Sequence, residues 1–274
     1  MAARNLKDMV VVITGASAGI GRALAEELSR SGARLALAAR RMDRLEELNR
    51  SLGGGHLCVK ADVSQLEDCR KLVAEALARF GRIDTLVCNA GFGIYKWVAD
   101  TTPEDTRSMF ATNVFGSTDC IHFALPEMLK QEIRDGWRGQ VMLVSSAAGR
   151  RGFPAIGMYS ATKAAQFALA EAMRVELRPK RIAVTSVHPI HTSTEFGKVA
   201  ESKGQLTLIS GPMGQTVEHV ARRMRRAMER PCPEVWPSRA AGWALGLGTL
   251  MPRLIDRGVG IYRKRVEQAN SPRG

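Results

Sequence analysis

Tyr159 and Lys163 stand four residues apart in the run Tyr159-Ser160-Ala161-Thr162-Lys163. On a helix that spacing places both side chains on one face, one turn apart. A free tyrosine, with a pKa of about 10, is a poor base near neutrality. A helix N-terminus beneath it and an ammonium beside it both favour the phenolate, so the pair can give and take a proton at a substrate oxygen. Taken alone, the same two residues also suit a solvent-facing helix. Upstream, Ser145 and Ser146 end an apolar run, and a hydroxyl there can hydrogen-bond the same oxygen. These groups fit hydride transfer to or from a carbonyl carbon, which needs a proton placed on or removed from its oxygen.

A hydride needs a carrier, and a second pattern supplies a place for one. Thr14-Gly15-Ala16-Ser17-Ala18-Gly19-Ile20-Gly21 follows the apolar run 9–13 and opens a helical pattern. Glycines let the backbone turn tightly and approach a pyrophosphate, while the helix start presents unpaired N–H groups to it. Gly15, Ser17, Gly19, Ile20 and Gly21 are therefore expected to hold a dinucleotide; the spacing is G-x-x-x-G-x-G. The second strand-like run, 34–39, ends in Ala39 and is followed by Arg40-Arg41. An acid there would select a ribose 2′-hydroxyl. With no carboxylate and two guanidiniums, the loop favours the 2′-phosphate of NADP(H), with Arg40 as the expected clamp and Ser17 as its helper.

These residues need a frame. Strand patterns occur at 9–14, 34–39, 56–60, 83–89, 140–145 and 182–188, separated by amphipathic stretches at 21–31, 43–52, 65–80 and 102–129. In the third stretch Leu66, Cys69, Leu72, Val73, Ala76, Leu77 and Phe80 form one helical stripe. Strands alternating with helices of this length predict an α/β fold: a single-domain, Rossmann-like, doubly wound parallel sheet of about seven strands, flanked by helices. The proline-rich segment 231–237 has room for a last short edge strand. Residues 1–238 are expected to form the dinucleotide-binding and catalytic domain, and 239–274 a C-terminal helical, apolar extension. Within the extension, 240–252 is uncharged and rich in Leu, Gly and Trp between Arg239 and Arg253. It suits a helix packed on the domain, a dimer arm or an interfacial membrane contact.

The motifs occur in the order of a known family. TGASAGIG at 14–21, Asn89-Ala90-Gly91, Asn113, Ser145-Ser146 and Tyr159-x-x-x-Lys163 together resemble the short-chain dehydrogenase/reductase family over residues 9–195. The resemblance implies an NADP-preferring oxidoreductase interconverting an alcohol and a ketone, with Asn113, Ser146, Tyr159 and Lys163 as its catalytic set. The family's interval of thirteen residues between serine and tyrosine selects Ser146 over Ser145. Asn113 is similar to the helix residue that supports a proton-relay water beside the lysine. Asp62-Val63 resembles an adenine-contacting pair, though an Asp before a helix also caps it. Asn89, Ala90, Gly91 and Thr194 are similar to further cofactor contacts. Where the family has Pro-Gly, this chain has Pro189-Ile190, and Ile190 cannot take glycine-only angles. The pocket segments contribute Phe92, Ile94, Tyr95, Trp97, Phe153, Ile156 and Met158, implying a lipophilic small-molecule substrate. Residues 194–215, with four glycines, suit a mobile lid. A homodimer or homotetramer is expected. A protein that only senses NADP(H) is the competing reading, and the complete set of four residues argues against it.

Charge and cysteines set outer bounds. The net charge is +13, and residues 222–274 hold twelve Arg or Lys against four Asp or Glu, a net +8. No zinc-finger, helix-turn-helix or RNA-binding pattern accompanies this charge, so nucleic acid is not an expected partner. Peripheral contact with an anionic membrane is compatible with it. No run of about 18 apolar residues is present, nor a signal-peptide core. The five cysteines, dispersed and without a CxxC pair, read as reduced thiols of a cytoplasmic protein with no metal site. His188 and His191 lack the further ligands that zinc would need.

Overall fold

A computed structural model describes residues 3–190, 195–208, 214–248 and 251–271. Thr194 and His191 lie outside the described residues. Seven strands form one parallel sheet: β1 (Val10–Thr14), β2 (Arg34–Ala39), β3 (Leu57–Lys60), β4 (Thr85–Cys88), β5 (Gly139–Val144), β6 (Ile182–Val187) and β7 (Glu234–Val235). Their spatial order is β3-β2-β1-β4-β5-β6-β7. The chain therefore leaves β1 in one direction and returns at β4 to build the other half. The crevice between their carboxyl ends is where such sheets take ligands.

Side-chain alternation sorts each strand between two cores. Val11 and Ile13 of β1, with Leu35 and Leu37 of β2, face α1 (Gly19–Ser29), α2 (Met42–Ser51) and α8 (Val217–Glu229). Val12, Ala36 and Ala38 face the opposite layer of α3 (Leu66–Phe80), α5 (Gly116–Lys130) and α6 (Gly157–Leu177). Because both faces are covered, the central strands are buried along their whole length and mostly apolar, as parallel strands between two helix layers tend to be. The short β7 takes the sheet edge beside β6, where its flanking prolines remove no interior ladder bond.

The pattern at 102–129 predicts one helix; the chain forms two, joined by a wide turn. Thr102 caps α4 (Pro103–Phe110) through a reciprocal bond with Asp105, with Pro103 in the first turn. Residues Ala111–Phe115 then form a single π turn before α5. Asn113 sits inside that turn, fully buried. Such turns are uncommon and concentrate at functional sites.

Beyond β6, α7 (Glu195–Lys203) occupies part of the segment expected to be a lid, and α9 (Arg239–Gly248) and α10 (Pro252–Asn270) end the chain. Tyr262 and Val266 of α10 pack with Tyr95, Ala155, Phe196, Ala200 and Leu206. Asn270 and Thr207 exchange side-chain-to-backbone hydrogen bonds at 2.9 and 3.0 Å. Among the described residues, no helix is long and apolar enough to cross a membrane.

Thr14 joins the two halves of the sheet. Its Oγ1 accepts from the Asn89 and Ala90 N–H groups, each at 3.0 Å, and donates to the Val87 carbonyl at 3.3 Å. Thr14→Val keeps the shape and leaves a buried N–H unpaired. It should lower stability by about 2 kcal/mol, read as a lower denaturant midpoint with an unchanged slope.

Candidate active site

The glycine turn is held open by the residues that resembled cofactor contacts. Asn89 directs its amide into the turn, donating to the Thr14 and Gly15 carbonyls at 2.9 and 3.2 Å. Gly15 has φ +67°, and a Cβ there would lie 2.9 Å from Ala90 Cα. A Cβ on Gly21 would meet the Gly15 carbonyl at 2.5 Å. The Ala18 side chain makes no capping bond at the start of α1, so first-turn N–H groups are available to an anion. This cradle, floored by backbone and lacking carboxylates, fits a pyrophosphate.

At the end of β2 the structure brings Arg41 to Ser17; Arg40 is exposed beside it. Arg41 Nη2 donates to Ser17 Oγ at 3.2 Å, and its Nη1 pairs with Glu195 of α7 at 3.1 Å. Arg44, in the first turn of α2, reaches the same carboxylate at 2.6 Å. The two guanidiniums hold the Glu195 carboxyl below the usual carboxylate range. Asp62 makes a local turn, its Oδ1 accepting from the Ser64 N–H and hydroxyl at 3.0 and 2.8 Å. Val63 packs where a Cβ on Gly116 would clash.

Three elements converge at the other end of the cleft. Ser146 follows β5, and its Oγ accepts from the Ala148 N–H at 3.1 Å. Ser145 points elsewhere, binding the Lys163 carbonyl at 2.7 Å and so fixing α6 to the strand. Tyr159 lies in the first turn of α6, half-buried, its ring 5.3 Å from that of Phe196. Lys163 Nζ lies 5.7 Å from the Tyr159 ring centroid and donates to the Val144 carbonyl at 2.8 Å and to Gln166 Oε1 at 2.9 Å. Asn113 exchanges bonds with the Phe92 backbone, Nδ2 to O at 2.9 Å and N to Oδ1 at 3.0 Å, and donates to Thr162 Oγ1 at 3.0 Å. Gly91 leaves room for this group, since a Cβ would lie 3.0 Å from Asn113 Oδ1 and 3.3 Å from Lys163 Nζ.

Burial sets the proton affinities. It pushes the Tyr159 phenol up, against the Ser146 hydroxyl that favours the phenolate. It pushes Lys163 down to about 7, with Cys88 working slightly the other way. The expectation that helix start and ammonium together lower the tyrosine is thus offset by desolvation, which disfavours any charged form. Behind Ser146, His188 stacks on Trp236 with ring centroids 4.4 Å apart. Its Nε2 lies 2.9 Å from Ser186 Oγ and its Nδ1 3.4 Å from the Ser146 carbonyl. Burial lowers it to about 4, a neutral packing residue. No group of three His, Cys, Asp or Glu suited to a metal occurs among the described residues.

Tyr95, Trp97 and Ile156 from the expected pocket segments join Ala155, Phe196, Leu206 and Leu208 in one apolar cluster. Phe196, Arg44 and Gln166 were not singled out in the sequence. Phe196 and Arg44 give no local signal; Gln166 does, as a polar residue on the buried face of α6 that continues through Ala170, Met173 and Leu177.

The description "short chain dehydrogenase" matches residues 9–204. An 11-beta-hydroxysteroid dehydrogenase-like 2 of Arabidopsis thaliana is 34% identical over 92% of this chain and 80% of that protein. An alcohol dehydrogenase from Thermococcus sibiricus, complexed with 5-hydroxy-NADP, superposes with a TM-score of 0.71 at 30% identity, covering 83% of this chain and 94% of that one. A short-chain dehydrogenase/reductase from Burkholderia phymatum with NAD shares the fold at a TM-score of 0.81 and 24% identity, over 91% and 96% of the two chains. Strand order, glycine turn and matched length agree: the chain belongs to the short-chain dehydrogenase/reductase family and is an oxidoreductase of CH–OH donors.

Proposed function

We propose that the protein is an NADP(H)-dependent oxidoreductase that interconverts a secondary alcohol and a ketone on a lipophilic small molecule. The observation that carries this reading is the convergence of Ser146, Tyr159 and Lys163 beside the glycine cradle. When bound, NADPH supplies the hydride to the carbonyl carbon. Tyr159 donates its phenolic proton to the substrate oxygen as negative charge grows there. Ser146, its oxygen accepting from the Ala148 N–H, donates its proton to the Pro189 carbonyl over a long 3.4 Å and can turn it toward the same substrate oxygen. Lys163 supplies positive charge behind the phenolate that remains, and Asn113 holds the Phe92 backbone at the cleft floor. In the oxidative direction Tyr159 takes the proton.

The 2′-phosphate is assigned to Arg41 with Ser17, aided by Arg44, with Arg40 adding charge at the rim. Gly15, Gly19, Ile20 and Gly21 hold the pyrophosphate; Asp62, Val63, Ala90 and Gly91 line the nucleoside and nicotinamide ends, with Thr194 at the carboxamide. The apolar cluster around Tyr95 and Phe196 supports a lipophilic substrate, as does the likeness to a protein named for hydroxysteroids. A purely NADP(H)-sensing protein has no use for a desolvated lysine beside a tyrosine.

We assign residues 1–238 to the dinucleotide-binding and catalytic domain and 239–274 to an extension packed on it through Tyr262 and Val266, with the exposed part of α9 left for a membrane contact, in a chain whose five free thiols suit the reducing cytoplasm. On α9 and just beyond it, Trp243, Leu247 and Met251, spaced by four, are 74%, 60% and 61% exposed. Arg253 and Arg257 lie exposed on the next helix. An apolar stripe bordered by cations complements an anionic lipid surface.

NADPH turnover over a ketone panel should favour bulky apolar ketones, and Tyr159→Phe should lower kcat by about 100-fold or more; retained turnover would overturn the mechanism. On the same assay Arg41→Asp should weaken NADPH by about 10–100-fold, more than Arg40→Asp, and narrow the preference over NADH. The ammonium of Lys163 is present below pH 7 and is lost as pH rises, so reduction should fall through about pH 7. Lys163→Arg, charged throughout, should remove that limb between pH 6 and 9 in a pH–rate profile. In low salt the chain should float with phosphatidylserine vesicles but not with neutral ones, and Trp243→Glu/Leu247→Glu should abolish this. Absence of flotation together with a variant-sensitive dimer in sedimentation would assign the stripe to self-association.

A further inference from the structure

Lys163 is the one cationic side chain among the four proposed catalytic residues, and it is 3% exposed. A buried ammonium needs an acceptor for each proton that does not meet solvent. From the protein side Lys163 has two: the Val144 carbonyl, fixed by β5, and the Gln166 side chain, one turn further along α6. Gln166 is itself completely buried and makes three further-reaching choices with one amide. Its Oε1 accepts from Lys163 at 2.9 Å, while its Nε2 donates to the Asn113 carbonyl at 2.6 Å and to Ser117 Oγ at 2.8 Å. Ser117 Oγ in turn donates to the Asn113 carbonyl at 2.8 Å. The π turn thus offers its Asn113 carbonyl to side chains, and the glutamine spans the gap from that carbonyl to the lysine.

We propose that Gln166 is a positioning residue for Lys163: its amide clamps Nζ from the protein side and ties it to the turn that carries Asn113. The bridge has a direction. Both amide N–H donors are satisfied, one by the Asn113 carbonyl of the turn and one by Ser117 Oγ at the start of α5, which fixes the carbonyl end toward the lysine; the amide flip would set a donor against an ammonium. The titratable neighbours of Nζ are few: Tyr159 on the same helix and Cys88 on β4, whose thiol burial pushes up to about 12. β5, the π turn and α5 present uncharged groups, namely the Val144 carbonyl, Asn113 and Ser117.

This inference rests on the catalytic reading of Tyr159 and Lys163, and its test separates the two. Gln166→Met keeps the length and removes the acceptor; Gln166→Glu keeps the shape and replaces the amide with a carboxylate. The alkaline limb of the reductive pH–rate profile should move down by about one pH unit in the methionine variant and up by about one in the glutamate variant. Michaelis constants for substrate should change little, the effect appearing in the pH dependence of kcat. A glutamine that only fills space would lower stability in both variants and leave the midpoint where it is in wild type. Midpoints unchanged, or moved in the same direction in both, overturn the proposal while Tyr159→Phe remains inactive; active Tyr159→Phe overturns the reading beneath it instead. If either replacement does not fold, Ser117→Ala decides. It frees one amide donor without touching the lysine and should move the midpoint downward by a smaller amount, and an unmoved midpoint there also overturns the clamp.

Discussion

The desolvated ammonium of Lys163 is the constraint around which the catalytic end of the molecule is arranged. A charge this far from water is tolerated only where fixed oxygens face it. One is a strand carbonyl at the end of β5, the other a glutamine anchored on the π turn. Each anchor requires a further arrangement. Ser145 ties the Lys163 carbonyl to the strand, and Gly91 leaves room for the lysine and asparagine, which a Cβ there would crowd. A single buried cation thereby fixes the register of α6 against β5 and the position of the loop after β4.

The same burial creates an electrostatic opposition between lysine and tyrosine. Desolvation raises the phenol and lowers the ammonium, so both rest as neutral species more readily than in water. A neutral phenol is the proper donor for reduction. The groups that favour the opposite form are local and directional: the Ser146 hydroxyl, and Lys163 when protonated. The pair is therefore poised so that charge arriving at the substrate oxygen shifts the balance, because interactions in a low-dielectric site are stronger than in water.

Much of this was legible in the chain. Alternating β-rich and amphipathic runs fix the parallel sheet, since buried strands with helices on both faces leave a recognisable pattern. The run 34–39 is reproduced residue for residue as β2. The break in the helix pattern at 111–115 was not legible, because a π turn costs one extra residue and needs no glycine or proline to mark it. Arg41 replaced Arg40 as the partner of Ser17 because the loop after β2 decides which of two adjacent side chains faces the cleft, and adjacent residues point differently. Gln166 was a missed signal of a better kind. A polar side chain on the buried stripe of a helix is costly unless satisfied, so its position alone implies partners.

Glu195 shows how the two halves of the sheet communicate across the cleft. Its carboxylate comes from α7, beyond β6, and meets guanidiniums that follow β2 and begin α2. All three side chains are substantially exposed, and exposed pairs contribute only about 0–1 kcal/mol each. Such a contact can order the helix over the cleft without locking it there. A cofactor phosphate, with more charge and more acceptor oxygens than a carboxylate, competes well for the same two arginines. The helix that carries Glu195 also carries Phe196, which touches the Tyr159 ring. In the proposed reading, occupancy of the arginines at one end of the cleft and packing on the catalytic tyrosine at the other are therefore linked through one short helix.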